Sequence, residues 1–187
     1  MGLSLKVLQY TQNISLNSSG NIFRFIAHKR FASHLFIKFH VAFGNFVYAR
    51  DLLSDQLRPD VLSRLEDHRR AGHEVLFVSA SLVYYLEPLA DLLGVCAVLA
   101  VEPAQLDGRL TGELVRPNVR AEQKALRLRE WLGAPADGPV EGTRLWGYGN
   151  SSGDHELLQM SDHAFWLGRP NKVPSGAKVF VPGPIPD

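Results

Sequence analysis

An alternation of short apolar runs with helical patterns, repeated from residue 57 onward, limits this chain to few folds. Apolar residues recur at helical spacing from Pro59 to Gly72, a pair of residues that suits the start and the end of a helix. The next residues, 73–78 (HEVLFV), combine β-branched and aromatic side chains in the manner of a buried strand. This alternation predicts an α/β fold, a Rossmann-like parallel sheet with flanking helices.

The rest of the chain continues the pattern. Pro88 is expected to kink or split the second helix, and Asp107-Gly108 is typical of a hairpin turn. We predict helices over residues 82–93, 121–132 and 154–160, two strands around the hairpin turn over 98–115, and single strands over 5–10, 145–148, 164–167 and 178–181.

Length and composition are those of one globular domain. The chain has 187 residues, 45% of them hydrophobic, so we expect a single domain over residues 1–187 with a sizeable core. The single cysteine, Cys96, excludes an internal disulfide and favours a reducing compartment. The sequence contains no run of 18 apolar residues and no apolar signal core, which predicts a cytoplasmic protein.

The first fifty residues differ from the rest in charge. They contain six basic residues and no Asp or Glu, and the first acidic residue is Asp51. Eight aromatic residues between positions 23 and 48 interleave with these cations. We predict a helical cap-like insertion over residues 21–56 whose aromatic side chains pack on the core. The alternative is a membrane-peripheral segment on an anionic membrane surface, and nucleic acid is not expected because no RNA-binding motif is present.

Chemistry is expected at the carboxyl ends of the strands, where parallel sheets bind ligands. One candidate is the loop 147–154 (GYGNSSGD), whose small residues let the backbone approach a ligand closely. Asn150 and Asp154 supply hard oxygen ligands suited to Mg²⁺, and Asn150 is also a candidate for binding phosphate. The alternative is a plain turn between a strand and a helix.

Two further candidates follow other predicted strands. Ser79 ends the strand 73–78 and offers a hydroxyl to a phosphate oxygen, with Ala80 beside it as a second phosphate-binding position. A helix N-cap is the alternative role for that serine. Lys124 lies near a helix start, where it is either solvated or turned inward to neutralise a phosphoryl group.

Together these segments, in this order, resemble the haloacid dehalogenase superfamily. The similarity runs from about residue 57 to residue 167 and is to the phosphoserine-phosphatase-like subfamily, especially to hydrolases of the phosphatidylglycerophosphatase C type. The motifs that carry it are RPDVLSRLEDHRRAGHEVLFVSAS, LEPLADLLGV, DGRLTGEL, RPNVRAEQK and YGNSSGDHELLQMSDHAF. The resemblance implies that Ser79 binds phosphate, that Lys124 is the third-motif lysine, and that Asn150 and Asp154 hold the fourth-motif acidic positions.

The activity that this family implies is Mg²⁺-dependent hydrolysis of a phosphomonoester. In the family, an aspartate after the first strand attacks phosphorus, and a second aspartate two residues later acts as acid and base. The corresponding residues in this chain are Thr11 and Asn13 in the segment TQNIS, and no carboxylate precedes Asp51. Asn150 likewise stands where the family has a metal-binding carboxylate, so Mg²⁺ binding should be weakened or lost.

This departure leaves three functional hypotheses. The first is a catalytically impaired or inactive phosphatase fold that binds a phosphorylated small molecule or a phospholipid. The second is an active phosphatase whose missing carboxylates come from elsewhere in the molecule. The third is a peripheral membrane or interaction protein that uses its basic, aromatic N-terminal segment.

Overall fold

The structure, a computed structural model, describes the backbone of residues 5–8 and all of residues 57–186. Six parallel strands form one sheet in the order β3-β2-β1-β6-β7-β8, and two antiparallel strands, β4 and β5, form a hairpin. The strands are β1 Leu5–Leu8, β2 Glu74–Leu82, β3 Ala97–Val101, β4 Pro103–Leu106, β5 Arg109–Leu114, β6 Trp146–Gly149, β7 His163–Trp166 and β8 Lys178–Val179. The predicted α/β class and parallel sheet are confirmed.

Strand β1 lies in the middle of the sheet, where the strand order reverses. Val7 pairs with Leu76 of β2 on one side and with Gly147 of β6 on the other. A reversal of this kind opens a crevice at the carboxyl ends of the neighbouring strands. The predicted strand 5–10 is confirmed over Leu5–Leu8. Thr11, Asn13 and the predicted insertion 21–56 lie outside the described residues.

Four α-helices are described: α1 Pro59–Arg70, α2 Val83–Leu93, α3 Glu122–Trp131 and α4 His155–Gln159. Helix α2 runs without a break through Pro88, so of the two outcomes expected of this proline, a kink or a split, the split was wrong. A proline removes only its own N–H from the helical bonding, and the buried Leu86, Leu89 and Ala90 hold both halves against the core. Among the described residues, no helix is long and apolar enough to cross a bilayer.

Residues 98–115 form three strands where two were predicted. β3 pairs with β2 in the main sheet, and only the segments after it, β4 and β5, form the hairpin. The predicted turn is present, since Asp107 and Gly108 both adopt positive φ between the two strands.

The pleat of the sheet divides the core into two layers. In β2, Val75 and Phe77 pack into the layer beneath α1 and α2, while Leu76 and Val78 pack into the layer that contains Leu128 of α3. Alternate side chains of a strand point to opposite faces, so one apolar run fills both layers. Helices therefore cover both faces, as in doubly wound folds.

Candidate functional site

The structure brings Lys124 and Asp154 into direct contact beside the carboxyl end of β6. The Lys124 Nζ donates to Asp154 Oδ1 over 2.7 Å, and the two side chains are 1% and 0% exposed. A lysine or an aspartate is almost never buried so completely without a partner. Lys124 is therefore turned inward, and the solvated alternative was wrong.

The Asp154 carboxylate is also held by the loop that precedes it. Oδ2 accepts hydrogen bonds from the amides of Asn150 and Ser151, both over 2.9 Å, and from the Ser151 hydroxyl over 3.0 Å. With Lys124 on the other oxygen, four donors converge on one carboxylate, and each bond is strengthened by its charge. Ser151 was not singled out from the sequence, although its spacing to Asp154 (S-x-x-D) is that of a capping box.

Glycines allow this loop to close around its carboxylate. A Cβ on Gly149 would lie 2.7 Å from the Asp154 Cβ, far inside contact distance. A Cβ on Gly153 would lie 3.1 Å from the Arg120 side chain, so even that methyl would crowd its neighbour. These close approaches supply a steric reason for two of the glycines in the motif.

A strained turn sets the start of α3 against the same loop. Ala121 has φ +53° and ψ −129°, the first central position of a type II′ turn, which glycine usually occupies. The amide of Gln123 donates to the Arg120 carbonyl over 3.1 Å, and the amide of Ala121 donates to the Gly153 carbonyl over 3.0 Å. The turn therefore ties the helix that carries Lys124 to the loop that carries Asp154.

Burial and the neighbouring charges act in opposite directions on the pKa of Lys124. Burial lowers the pKa of Lys124 from its ordinary value, the Asp154 carboxylate acts to raise it, and the positive charge of Arg120 lowers it further. The same carboxylate therefore repays part of the cost of burying the ammonium. A phosphoryl group beside Lys124 would act in the same direction.

Ser79 lies inside its strand, whereas the sequence predicted it at the strand end. β2 continues to Leu82, and α2 begins at Val83. The Ser79 hydroxyl is buried and accepts a hydrogen bond from the Ser81 amide over 3.1 Å, so this serine does not cap α2. Ala80 is exposed at the same strand end. The pairing register with β3 shifts between Val78 and Leu82, which gives these residues an irregular backbone.

The described donor set does not fit Mg²⁺. Among residues 57–186 no group of three or more His, Cys, Asp or Glu side chains converges. Both oxygens of Asp154 already accept hydrogen bonds, and Asn150 is a neutral ligand. Mg²⁺ dehydrates reluctantly and is usually bound through carboxylates, so these residues alone make a poor site.

His155 directly follows Asp154 at the end of the loop. Its ring packs against Trp166 of β7, with the ring centroids 5.8 Å apart. The side chain therefore contacts the sheet beside β6.

Sequence comparison agrees with this architecture. The family model of the haloacid dehalogenase-like hydrolases matches residues 16–159. The chain belongs to this family. The resemblance stated from the motifs is thereby confirmed, and the crevice beside β1 and β6 is where such a fold carries its ligand.

Individual relatives show the same relationship. Protein CicA of Caulobacter vibrioides is 31% identical over 66% of this chain and 54% of its own length. A histidinol-phosphatase of Neisseria meningitidis is 24% identical over 67% of this chain and 62% of its own length. This chain thus spans between half and two thirds of these two relatives. A Bordetella pertussis protein of unknown function has the same fold, with a TM-score of 0.68, 17% identity, and coverage of 91% of this chain and 93% of that one.

Proposed function

We propose that this protein binds the phosphoryl group of a phosphorylated small molecule and hydrolyses it very slowly or not at all. The observation that carries this proposal is the buried Lys124–Asp154 pair at the carboxyl end of β6, in a chain with no carboxylate before Asp51. The pair supplies a cation beside the crevice, and the segment after β1 lacks the groups that would react.

Several features of the pair favour an anion. An ammonium has three N–H donors, and the hydrogen bond to Asp154 uses one of them. The Lys124 side chain is buried and held by Asp154, so little side-chain freedom is lost when an anion binds. The relative named histidinol-phosphatase supports a phosphorylated small molecule as the ligand class.

The replaced residues account for slow turnover. We propose that Thr11 and Asn13 follow β1 where the family has its nucleophile and its acid/base. Loss of a general acid or base alone lowers a rate by roughly 10²–10⁴-fold. Neither threonine nor asparagine has the carboxylate that forms an acyl-phosphate, and a threonine hydroxyl without a neighbouring base is a weak nucleophile, so the two losses compound.

The proposal is tested by measuring phosphate binding by calorimetry and phosphate release from p-nitrophenyl phosphate with Mg²⁺. We expect binding with turnover at background, and loss of binding in Lys124→Ala and in the milder variant Ser79→Ala. Arg144→Ala, which removes an exposed cation before the amino end of β6, is the matched control and should bind normally. Wild-type turnover that Lys124→Ala abolishes would show an active phosphatase instead, and absence of phosphate binding would refute the proposal.

A reverse experiment sharpens the assignment of the missing groups. The double variant Thr11→Asp/Asn13→Asp returns both carboxylates and should raise Mg²⁺-dependent turnover above that of the wild type. Thr11→Glu/Asn13→Glu is the matched control, because it adds the same charge with different reach. Equal turnover in the wild type and both double variants would contradict the placement of the reacting groups after β1.

A further inference from the structure

We infer that Arg120 binds a second anionic group of the ligand, a carboxylate or a second phosphate, beyond the phosphoryl group held near Lys124. This inference rests on the proposed function and adds a class of ligand to it. Arg120 lies on the segment 116–121, which leads from the hairpin to α3.

That segment is fixed to the domain at several points. Val119 is completely buried in the layer beneath α3. The guanidinium of Arg127 donates to the Pro117 carbonyl over 3.3 Å, and Arg116 pairs with Glu130. The backbone that carries Arg120 is therefore held on both sides, which reduces the entropy lost when its side chain binds a ligand.

The side chain of Arg120 is directed toward the site loop. Its Cγ lies 3.1 Å from the position that a Cβ on Gly153 would occupy, so it extends across the residue before Asp154. The charge of Arg120 is also felt at Lys124, whose pKa it lowers. The two cations thus flank one loop, the first exposed and the second buried.

Arg120 differs from the neighbouring arginines in the hydrogen bonds and ion pairs of its guanidinium. Arg116 has a carboxylate and Arg127 a carbonyl, whereas within the part of the chain that the structure describes the Arg120 guanidinium makes no hydrogen bond or ion pair. Of the two cations that flank the loop, Lys124 is paired with Asp154, so the Arg120 guanidinium is the one left to bind an added anion. A planar guanidinium binds a carboxylate or phosphate through two parallel hydrogen bonds.

The test compares ligands that differ by one anionic group, by calorimetry without added Mg²⁺. In the first pair, 3-phosphoglycerate has a carboxylate where sn-glycerol 3-phosphate has a hydroxymethyl group. In the second pair, pyrophosphate has a second phosphate that inorganic phosphate lacks. We expect Arg120→Ala to weaken binding of the compound with two anionic groups by about tenfold. The affinity for the compound with one anionic group should change by less than about twofold. The pair that responds identifies the carboxylate or the phosphate as the second group.

Two variants serve as controls. Arg120→Lys retains the charge without the planar fork and should recover part of the lost affinity. Arg144→Ala removes a positive charge before the amino end of β6 and should change no affinity. If Arg120→Ala weakens both members of each pair equally, or weakens neither, the inference is wrong while the proposed function stands. If no phosphate compound binds the wild type, both fail together.

Discussion

Two groups of buried polar residues lie on opposite faces of the sheet and are stabilised by different interactions. On the α3 face, Lys124 and Asp154 bury two full charges in one ion pair. On the α1 face, the Tyr148 hydroxyl lies 2.7 Å from His68 Nε2 and accepts from Arg64 over 3.0 Å. The first group depends on opposite charges, and the second depends on a shared hydroxyl.

The second group is also surrounded by rings. The Arg64 guanidinium lies 5.0 Å from the Phe180 ring centroid and donates to the carbonyls of Val181 and Gly183. The ring of Tyr148 stacks on Phe165 at 5.0 Å. A cation over aromatic faces is stabilised without a carboxylate, so this group holds the fold together through rings and neutral acceptors. Among the described residues, the two faces therefore differ in what stabilises the buried cation: a carboxylate on the α3 face, and rings and carbonyls on the α1 face.

The largest effect is expected from a variant that removes one partner of the Lys124–Asp154 ion pair. Asp154→Leu leaves the Lys124 ammonium buried without its partner and should lower the free energy of unfolding by about 3–5 kcal/mol. Urea denaturation measures the loss. The double variant Lys124→Met/Asp154→Leu should recover part of it, because no unpaired charge remains.

A surface pair provides the matched control for that experiment. Arg70 and Asp67 form an exposed ion pair one helical turn apart, 2.6 Å between atoms. Arg70→Ala should cost less than about 1 kcal/mol. Equal losses in Arg70→Ala and Asp154→Leu would contradict the view that burial makes the site pair important.

The next effect concerns pH on the α1 face. Burial raises the pKa of Tyr148 to about 12, partly offset by the hydrogen bond from Arg64. The tyrosine in the native protein therefore keeps its proton more tightly than in the unfolded chain. Its contribution is complete below about pH 10 and is lost as the pH rises toward 12, about 2–3 kcal/mol in all. Stability measured from pH 9 to 11.5 should fall more steeply in the wild type than in Tyr148→Phe.

At neutral pH the same substitution should have a smaller effect. Tyr148→Phe keeps the stacked ring but removes the hydroxyl that contacts both His68 and Arg64, at a cost of about 1–3 kcal/mol. Thermal or urea unfolding at pH 7 gives the value. A loss larger than that of Asp154→Leu would reverse the comparison between the two faces.

The smallest effect is a gain on the α3 face. Ala121→Gly removes a Cβ from a residue at φ +53° and should stabilise the protein by up to about 1 kcal/mol, the strain relief less the entropy of glycine. Urea denaturation measures it, with Ala104→Gly on the hairpin as the control that should not stabilise. A destabilised Ala121→Gly would show that the turn is not strained.

The sequence predicted those parts of the fold that local pattern determines. The run 73–78 and the loop 147–154 carry their own periodicity and small residues, so the strand, the turn and the parallel sheet followed from them. The continuation of β2 through Ser79 depends on pairing with β3, which no local pattern contains. For the same reason, no local pattern predicts that Lys124 pairs with Asp154, 30 residues away.

The surroundings of His68 and Arg120 were the features hardest to predict from the sequence. His68 lies near the end of α1 and is nevertheless fully buried, because its partner Tyr148 comes from a strand 80 residues later. Arg120 resembles any other charged residue before a helix until the turn at Ala121 sets it against Gly153. Both cases depend on tertiary contacts rather than on spacing.

The carbonyls that receive the Arg64 guanidinium belong to the last residues of the chain, and Trp146 Nε1 donates to the Pro186 carbonyl over 3.2 Å. Residues 181–186 form no regular element, but these hydrogen bonds attach them to α1 and to β6. Shortened versions of the polypeptide prepared for biophysical work should retain them, since removal would strand a cation inside the domain.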